Sequence, residues 1–445
     1  MVAAGAQGQS TDALLDKLVD KGILTAKEAK ELREESDKNF TTAIQIKSGM
    51  PDWVTGYKLS GDMRGRYDGI SSENNAFIPR DRLRYRLRVG LAVSMLDNLE
   101  AGLRLGSGEA SGSAATGNPL SNNATLQDNG SKKSIFIDAA YGKWTAINSG
   151  GWLASITVGK MDLPFAFTPM VFDPDLTPEG AAIQTSWAIN DKHSLSFSGG
   201  AFVLDEVASS THDPFLFGGQ FLWNATWTQK LSSTFGAGMF QIVNPEQLTT
   251  GNVPFINRGN TREQVTPLFP TGAAPYYALK YNYNPIIADA SVTYTLDTFP
   301  FYTGRFPIKF AGEFMNNPAA KANNNAFWVG MTFGKSGAKQ TWDLSYRYEY
   351  LESDAWYDQL VDDDNGAFYP GVNFQANSSY GYFGGTNIKG HMIKLNYSFT
   401  DSLTFSATCY LTDLISLQGL SASPDVPNAR TSATLRIMAD VMWKF

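Results

Sequence analysis

The sequence predicts an all-β chain: a transmembrane up-and-down antiparallel β-barrel of about sixteen strands, preceded by a short helical segment. Three observations carry that prediction. From Val54 onward, apolar and polar residues alternate with the two-residue period of a pleated strand, segment after segment. Every second connection is a tight turn and the others are mostly long, which places turns on one rim of a barrel and loops on the other. No apolar run approaches the roughly 20 residues of a membrane helix, so a membrane-spanning chain of this composition must close its sheet.

Residues 1–10 are expected to be a flexible N-terminus. The opening MVAAGAQGQS has neither the charged nor the apolar stretch of an export signal, which is expected to have been removed. Residues 11–39 are the helical part. Leu14, Leu15, Leu18 and Val19 recur at helical spacing, Gly22 closes the first helix, and Thr25 with Glu28 forms a capping box that opens a second. Many charges and a narrow apolar stripe fit a solvated hairpin, a coiled coil or a periplasmic tether. Residues 40–53 form a linker, and residues 54–445 are assigned to the barrel.

The most informative strand covers residues 80–96, RDRLRYRLRVGLAVSML. Leu83, Tyr85, Leu87, Val89, Leu91 and Val93 form one face, while Arg82, Arg84, Arg86, Arg88 and Gly90 form the other. In the strand before it Leu59, Met63 and Tyr67 alternate with Asp62, Arg64 and Arg66. In the strand after it Leu99, Ala101, Leu103 and Leu105 alternate with Glu100 and Arg104. Similar segments follow at residues 135–143, 152–160, 181–189, 194–204, 215–228, 233–242, 286–296, 306–316, 326–334, 341–351, 392–399, 403–412 and 430–445. A length of about ten residues is what a tilted strand needs to cross a bilayer.

The short connections are Asp97 with Asn98, 147–151, 190–192, 229–232, 335–339 and 400–402; the long ones include 107–133, 243–275 and 352–390. Trp144, Trp152, Trp187, Trp223, Trp227, Trp328, Trp342 and Trp443 recur at strand ends, as expected of aromatic girdles at the membrane interfaces. The last strand carries Leu435, Ile437, Ala439, Val441 and Trp443 on one face and ends the chain on Phe445.

Composition narrows the remaining choices. Asp and Glu total 43 against 36 Lys and Arg, so there is no basic surplus to neutralise the phosphates of a nucleic acid. The single Cys409 excludes an intrachain disulfide framework and a clustered thiolate site, and there is no CxxCH haem motif. His193, His212 and His391 fall in a turn, a loop and a strand end, with no metal-ligand spacing. No nucleophile with a base stands out, so neither an enzyme nor a resident cofactor is expected.

The helical preface LLDKLVDKGILTAKEAKELREE, the barrel pattern after it, the stretch FDPDLTPEG at residues 172–180 and the terminal Phe445 make this chain similar to the putative-porin family of Gram-negative bacteria, distantly similar to the phosphate-selective porins O and P. The resemblance implies a passive channel for small hydrophilic solutes in the outer membrane, surrounded by lipid and lipopolysaccharide. It also implies a periplasmic N-terminus and a homotrimer. A scaffold barrel that encloses or anchors a partner such as the cell wall or a cytochrome is the rival reading, and a barrel enzyme a more distant one.

A barrel of about sixteen strands is too wide for inward side chains to fill. Arg64, Arg66, Arg82, Arg84, Arg86, Arg88 and Arg104, on three neighbouring strands, are expected to form a basic wall of the lumen. The connection 161–180, MDLPFAFTPMVFDPDLTPEG, is expected to fold inward as a constriction loop. Its Asp162, Asp173, Asp175 and Glu179 would face the wall and set up a transverse field. Alternatively the arginines pair with Asp62, Glu100 or Asp138 along the wall itself. Further round the barrel, Lys309, Arg347, Lys394 and Arg436 roughly cancel Asp289, Glu313, Asp343, Glu349 and Asp440, so the wall would give a weak anion preference. Asp362, Asp363 and Asp364 lack the distal Glu of an EF-hand loop and read as a solvated external loop rather than a cation site.

Overall fold

A computed structural model describes residues 51–73, 78–111, 116–208, 210–255, 258–265, 276–367, 385–416 and 433–445. The expected flexible N-terminus, the helical segment and most of the linker lie outside the described residues, as does the expected start of the last strand at Arg430.

The chain divides into two compact units: residues 1–58 with 92–100, and residues 59–91 with 101–445. In the smaller unit the turn Leu96–Asn98 places both Asp97 and Asn98 at φ 60°. Two successive left-handed residues match the twist of a tight hairpin, and Asp and Asn tolerate that conformation. The Leu96 amide donates to the Trp53 carbonyl at 3.0 Å.

The barrel closes through sixteen antiparallel strands. They are β1 (Val54–Ser72), β2 (Arg80–Met95), β3 (Leu99–Gly108), β4 (Ser134–Ser149), β5 (Trp152–Lys160), β6 (Glu179–Asn190), β7 (His193–Val203) and β8 (Phe215–Thr226), followed by β9 (Leu231–Val243), β10 (Ile286–Leu296), β11 (Phe306–Asn316), β12 (Asn325–Gly334), β13 (Thr341–Leu351), β14 (Ile388–Ser398), β15 (Leu403–Leu414) and β16 (Thr434–Lys444). Each pairs with its neighbour in sequence. The seam runs between β1 and β16, in register from Asp62 opposite Lys444 to Ser72 opposite Thr434. Gly61 and Phe445 finish it by exchanging backbone hydrogen bonds at 2.9 and 3.0 Å. Closure removes the edge strands that an open sheet of this length would leave unpaired.

Alternation sets what faces in. On β16, Thr434, Arg436, Met438 and Asp440 are buried, while the intervening Ile437 and Trp443 are exposed on the outside. Seven of the eight tryptophans sit near the short-turn rim, where Trp152 stacks on Trp187 at 5.1 Å and Trp223 on Phe235 at 5.6 Å. Trp328 is the exception. It shares its face of β12 with buried Ala326 and packs against the apolar cluster inside the barrel, because its register opposite Glu313 and Glu349 puts it on the lumen side.

The connection 161–178 between β5 and β6 folds inward. Two glycines stand at its roots. Gly159 has φ +117° and Gly180 φ +157°, and a Cβ there would lie 2.4 Å from the Ala140 carbonyl oxygen and 2.1 Å from that of Ala201. Only glycine fits these conformations without displacing a neighbouring strand. A Gly159→Val or Gly180→Val substitution is expected to lower barrel stability by about 1–3 kcal/mol. The midpoint of the heat-induced mobility shift in SDS gels reads this loss, and an unchanged midpoint for both variants would contradict it.

Candidate functional site

Inside the barrel, β1, β2 and β3 place Arg64, Arg66, Arg82, Arg84, Arg86, Arg88 and Arg104 on the lumen face, and each of these seven has a carboxylate within 4 Å. Arg82 reaches Asp68 at 2.6 Å and Arg84 approaches it at 3.6 Å. Arg436 of β16 grips the same carboxylate through Nε and Nη2 at 2.8 and 3.1 Å. Asp68 is completely buried. Arg66 forms a two-pronged pair with Asp440 at 2.7 and 2.9 Å and also reaches Asp364 at 3.3 Å. Arg64 donates to the Asn123 side chain at 2.7 Å and lies 3.9 Å from Asp440. Arg86 and Arg88 share Asp62, each at 2.8 Å. Planar guanidinium forks suit such shared carboxylates, and a buried cation left without one would carry a large desolvation cost.

The loop 161–178 supplies the next layer of acids. Asp175 Oδ1 lies 3.1 Å from Arg86 and 3.4 Å from Arg88. Arg104 bridges Asp138 on β4 and Asp162 in the loop, the latter at 2.6 Å. The loop crosses the lumen: the Ala166 amide donates to Gln220 on β8 at 2.8 Å, and the Thr168 hydroxyl to Glu313 on β11 at 2.6 Å. Its aromatic residues hold it there. Phe165 meets Phe240 edge-on at 4.9 Å and Phe202 at 6.2 Å, and Phe172 meets Phe240 at 5.2 Å. This apolar cluster inside the barrel also takes in Met170, Val171 and Ile287, all at most 1% exposed.

Of the four acids expected to face the wall, Asp162 and Asp175 touch it, as contact ion pairs rather than across a gap. Glu179 pairs with Lys160 at 3.1 Å. Asp173 is 2% exposed and turns toward a second loop, residues 352–367 after β13. The expectation of a solvated Asp362, Asp363 and Asp364 is therefore corrected. Asp362 is 8% exposed, and Asp364 pairs with Arg66 and, at 2.9 Å, with Arg436. The segment is drawn in by Trp356, which is fully buried, donates to the Val171 carbonyl at 2.8 Å and packs edge-on against Phe172. A third connection braces this second loop. Arg258 donates to the carbonyls of Val361 and Asp362 at 3.3 and 3.2 Å, and Asn260 to those of Ser353 and Trp356. The signal that was open to reading is the apolar content of an otherwise acidic loop: Ala355, Trp356, Tyr357, Leu360 and Val361 have no reason to sit in water. Asp68 and Asp440, the strand acids that match the wall, carried no distinguishing pattern.

A sequence profile of the family described as "Putative porin" matches residues 70–295. No curated protein matches. Among solved structures, the high-pH structure of Pseudomonas putida OprB aligns at 12% identity with TM-score 0.51, covering 92% of this chain and 97% of that one. A mutant of the Rh. blastica porin aligns at 11% identity with TM-score 0.41, covering 88% of this chain and all of that one.

The joint between the two inward loops is itself titratable. The Asp173 amide donates to the Leu360 carbonyl at 2.7 Å, the Asp362 amide to the Pro169 carbonyl at 3.0 Å, and the Asp363 amide to Asp173 Oδ2 at 3.2 Å. Oxygens of Asp173, Asp362 and Asp363 lie within 4.8 Å of one another, the one grouping of possible metal ligands among the described residues. Arg347 faces Asp362, while Arg436, Arg258 and Arg84 face Asp363, and these positive charges disfavour a bound cation. Burial, then the neighbouring carboxylates, pushes Asp173 well up, Asp362 up to about 7 and Asp363 up to about 6. Burial opposes but does not outweigh Arg436 and Arg66 at Asp364, which is held below the usual carboxylate range.

Raised carboxyl groups bind more protons in the docked state, so their contribution is full below the ordinary carboxyl range and is lost as pH rises through the raised values. Asp364 acts in the opposite sense only in stronger acid. Loop docking is therefore expected to weaken from pH 5 to pH 8, read as faster deuterium exchange of residues 352–367. Asp173→Asn is expected to flatten that profile; an unaltered profile in the variant would exclude the triad as its source.

Proposed function

The chain belongs to the putative-porin family, as an outer-membrane porin channel, and we propose that small hydrophilic solutes and ions diffuse passively through it along a path narrowed by the loop 161–178. The observation that carries this reading is a closed sixteen-strand wall that is ionic inside and aliphatic or aromatic outside. Family and fold are those of a channel rather than an enzyme. The barrel sits in the outer membrane with its aromatic outer face against lipid and lipopolysaccharide, residues 11–39 on the periplasmic side, and three copies assembled together.

The arginines and the loop acids act as closely spaced dipoles rather than as a bare basic surface. Each guanidinium within 4 Å of a carboxylate contributes little net charge to the path, so ion selectivity is weak and solute orientation is the main effect of the field. This replaces the anion preference expected from counting arginines alone.

Single-channel recording of the purified protein in a planar bilayer, with a KCl gradient, tests both parts. Stable conductance steps with a reversal potential near zero are expected. An Arg86→Ala, Arg88→Ala double variant leaves Asp62 and Asp175 unneutralised and is expected to move the reversal potential to the cation-selective side. Folded protein without steps would favour the scaffold barrel, and an unmoved reversal potential would remove the wall from the conduction path.

A further inference from the structure

On the long-loop side of the barrel lies a cavity of about 610 Å³, within the range of small-molecule sites. Its lining combines two chemistries. Apolar surface comes from Phe202 and Leu216 on β7 and β8, Leu163 of the crossing loop, Val253 of the connection after β9 and Tyr357 of the second inward loop. Hydrogen-bonding groups come from residues that include Ser121, Asn122 and Thr177. Apolar surface facing an aqueous path is costly, and a solute that covers it recovers that cost.

Charge decides the second half of the recognition. Among the described residues the only cation lining the cavity is Lys160, already engaged by Glu179 at 3.1 Å and by the Thr177 carbonyl at 2.9 Å. Four carboxylates line it. Asp138 and Asp175 are held by wall arginines and Glu179 by Lys160, whereas Asp205 accepts a hydrogen bond from the Glu206 amide and has no ion pair among the described residues. The arginines of the wall do not line the cavity. An anionic solute would find no free cation here, and a cationic one would find a free carboxylate together with apolar surface.

We infer that this cavity is a binding subsite for cationic amphipathic solutes, with the apolar body against Phe202, Leu216 and Val253 and the ammonium end toward Asp205. The inference rests on the channel reading, because the lumen is the route by which a solute reaches it. Three probes separate its terms: tryptamine, indole-3-acetate with the same ring system and the opposite charge, and propylamine with the charge but no ring.

Isothermal titration of the full chain in detergent, with a Val253→Trp variant as the filled-cavity reference, reads binding independently of conduction. Mobility in unheated SDS gels shows that each variant is folded. Tryptamine is expected to bind one site and to interrupt the single-channel current, with indole-3-acetate and propylamine at least about tenfold weaker. Asp205→Asn is expected to weaken tryptamine about fivefold, and Val253→Trp to abolish its binding. Equal binding of indole-3-acetate, or equal binding of tryptamine by folded Val253→Trp protein, overturns the subsite. Conduction without tryptamine binding overturns the subsite and leaves the channel; tryptamine binding without conduction overturns the channel and leaves the subsite.

Discussion

Seven guanidinium groups on three adjacent strands cannot share one lumen wall unless carboxylates stand among them, and that requirement organises the interior of this barrel. Part of the compensation comes from the strands themselves. Asp68 takes Arg82 and Arg436 at hydrogen-bonding distance with Arg84 just beyond, and Asp440 takes Arg66 across the closure seam. The rest comes from the loops, through Asp162, Asp175 and Asp364. Because the seam is held partly by Arg66 with Asp440 and Arg436 with Asp68, closure of the sheet and neutralisation of the wall are one event rather than two. Removing one partner of such a buried pair costs more than the pair contributes, since the remaining charge stays buried.

Ion pairs alone would not keep loops inside a barrel, where water competes for every charge. The apolar cluster supplies what they lack. Phe165, Phe172, Phe202, Phe240 and Trp356 pack edge-to-face and tilted, so the loop 161–178 and residues 352–367 bury aromatic surface against inward positions of β7 and β9. Aromatic contacts of this kind are non-ionic and insensitive to salt. The interior is thus divided into an ionic side on β1 to β3, an aromatic side on β7 to β9, and the acid triad of Asp173, Asp362 and Asp363 where the two loops meet.

The strand pattern was legible because a pleated strand writes its two faces directly into alternate residues. Thr341–Leu351 reads TWDLSYRYEYL, and its buried Asp343, Arg347 and Glu349 alternate with outward Leu344 and Tyr346. The tight turns were legible for a related reason, since Asp97 with Asn98 are residue types that accept a left-handed backbone. Trp328 misled because a tryptophan near a strand end suits an interface as well as a lumen, and only its register opposite Glu313 and Glu349 distinguishes them. The acidic run Asp362, Asp363 and Asp364 misled more seriously. Three adjacent carboxylates look solvated until the cations that face them, Arg66, Arg347 and Arg436, are seen to come from β1, β13 and β16.

By itself the sequence determined the closed antiparallel barrel, the number and nearly the bounds of its strands, and the alternation that sets which side of a strand faces inward. These depend on local periodicity and on the cost of unpaired backbone groups in a membrane. Only the tertiary structure decided which carboxylate each arginine holds, that residues 352–367 fold in to meet the loop 161–178 and are braced by a third connection, and that a cavity with Asp205, without an ion pair among the described residues, lies beside them. Those outcomes join residues separated by hundreds of positions, such as Arg66 and Asp440 or Val171 and Trp356, and nothing in a local pattern specifies a partner that closure of the sheet alone brings within reach.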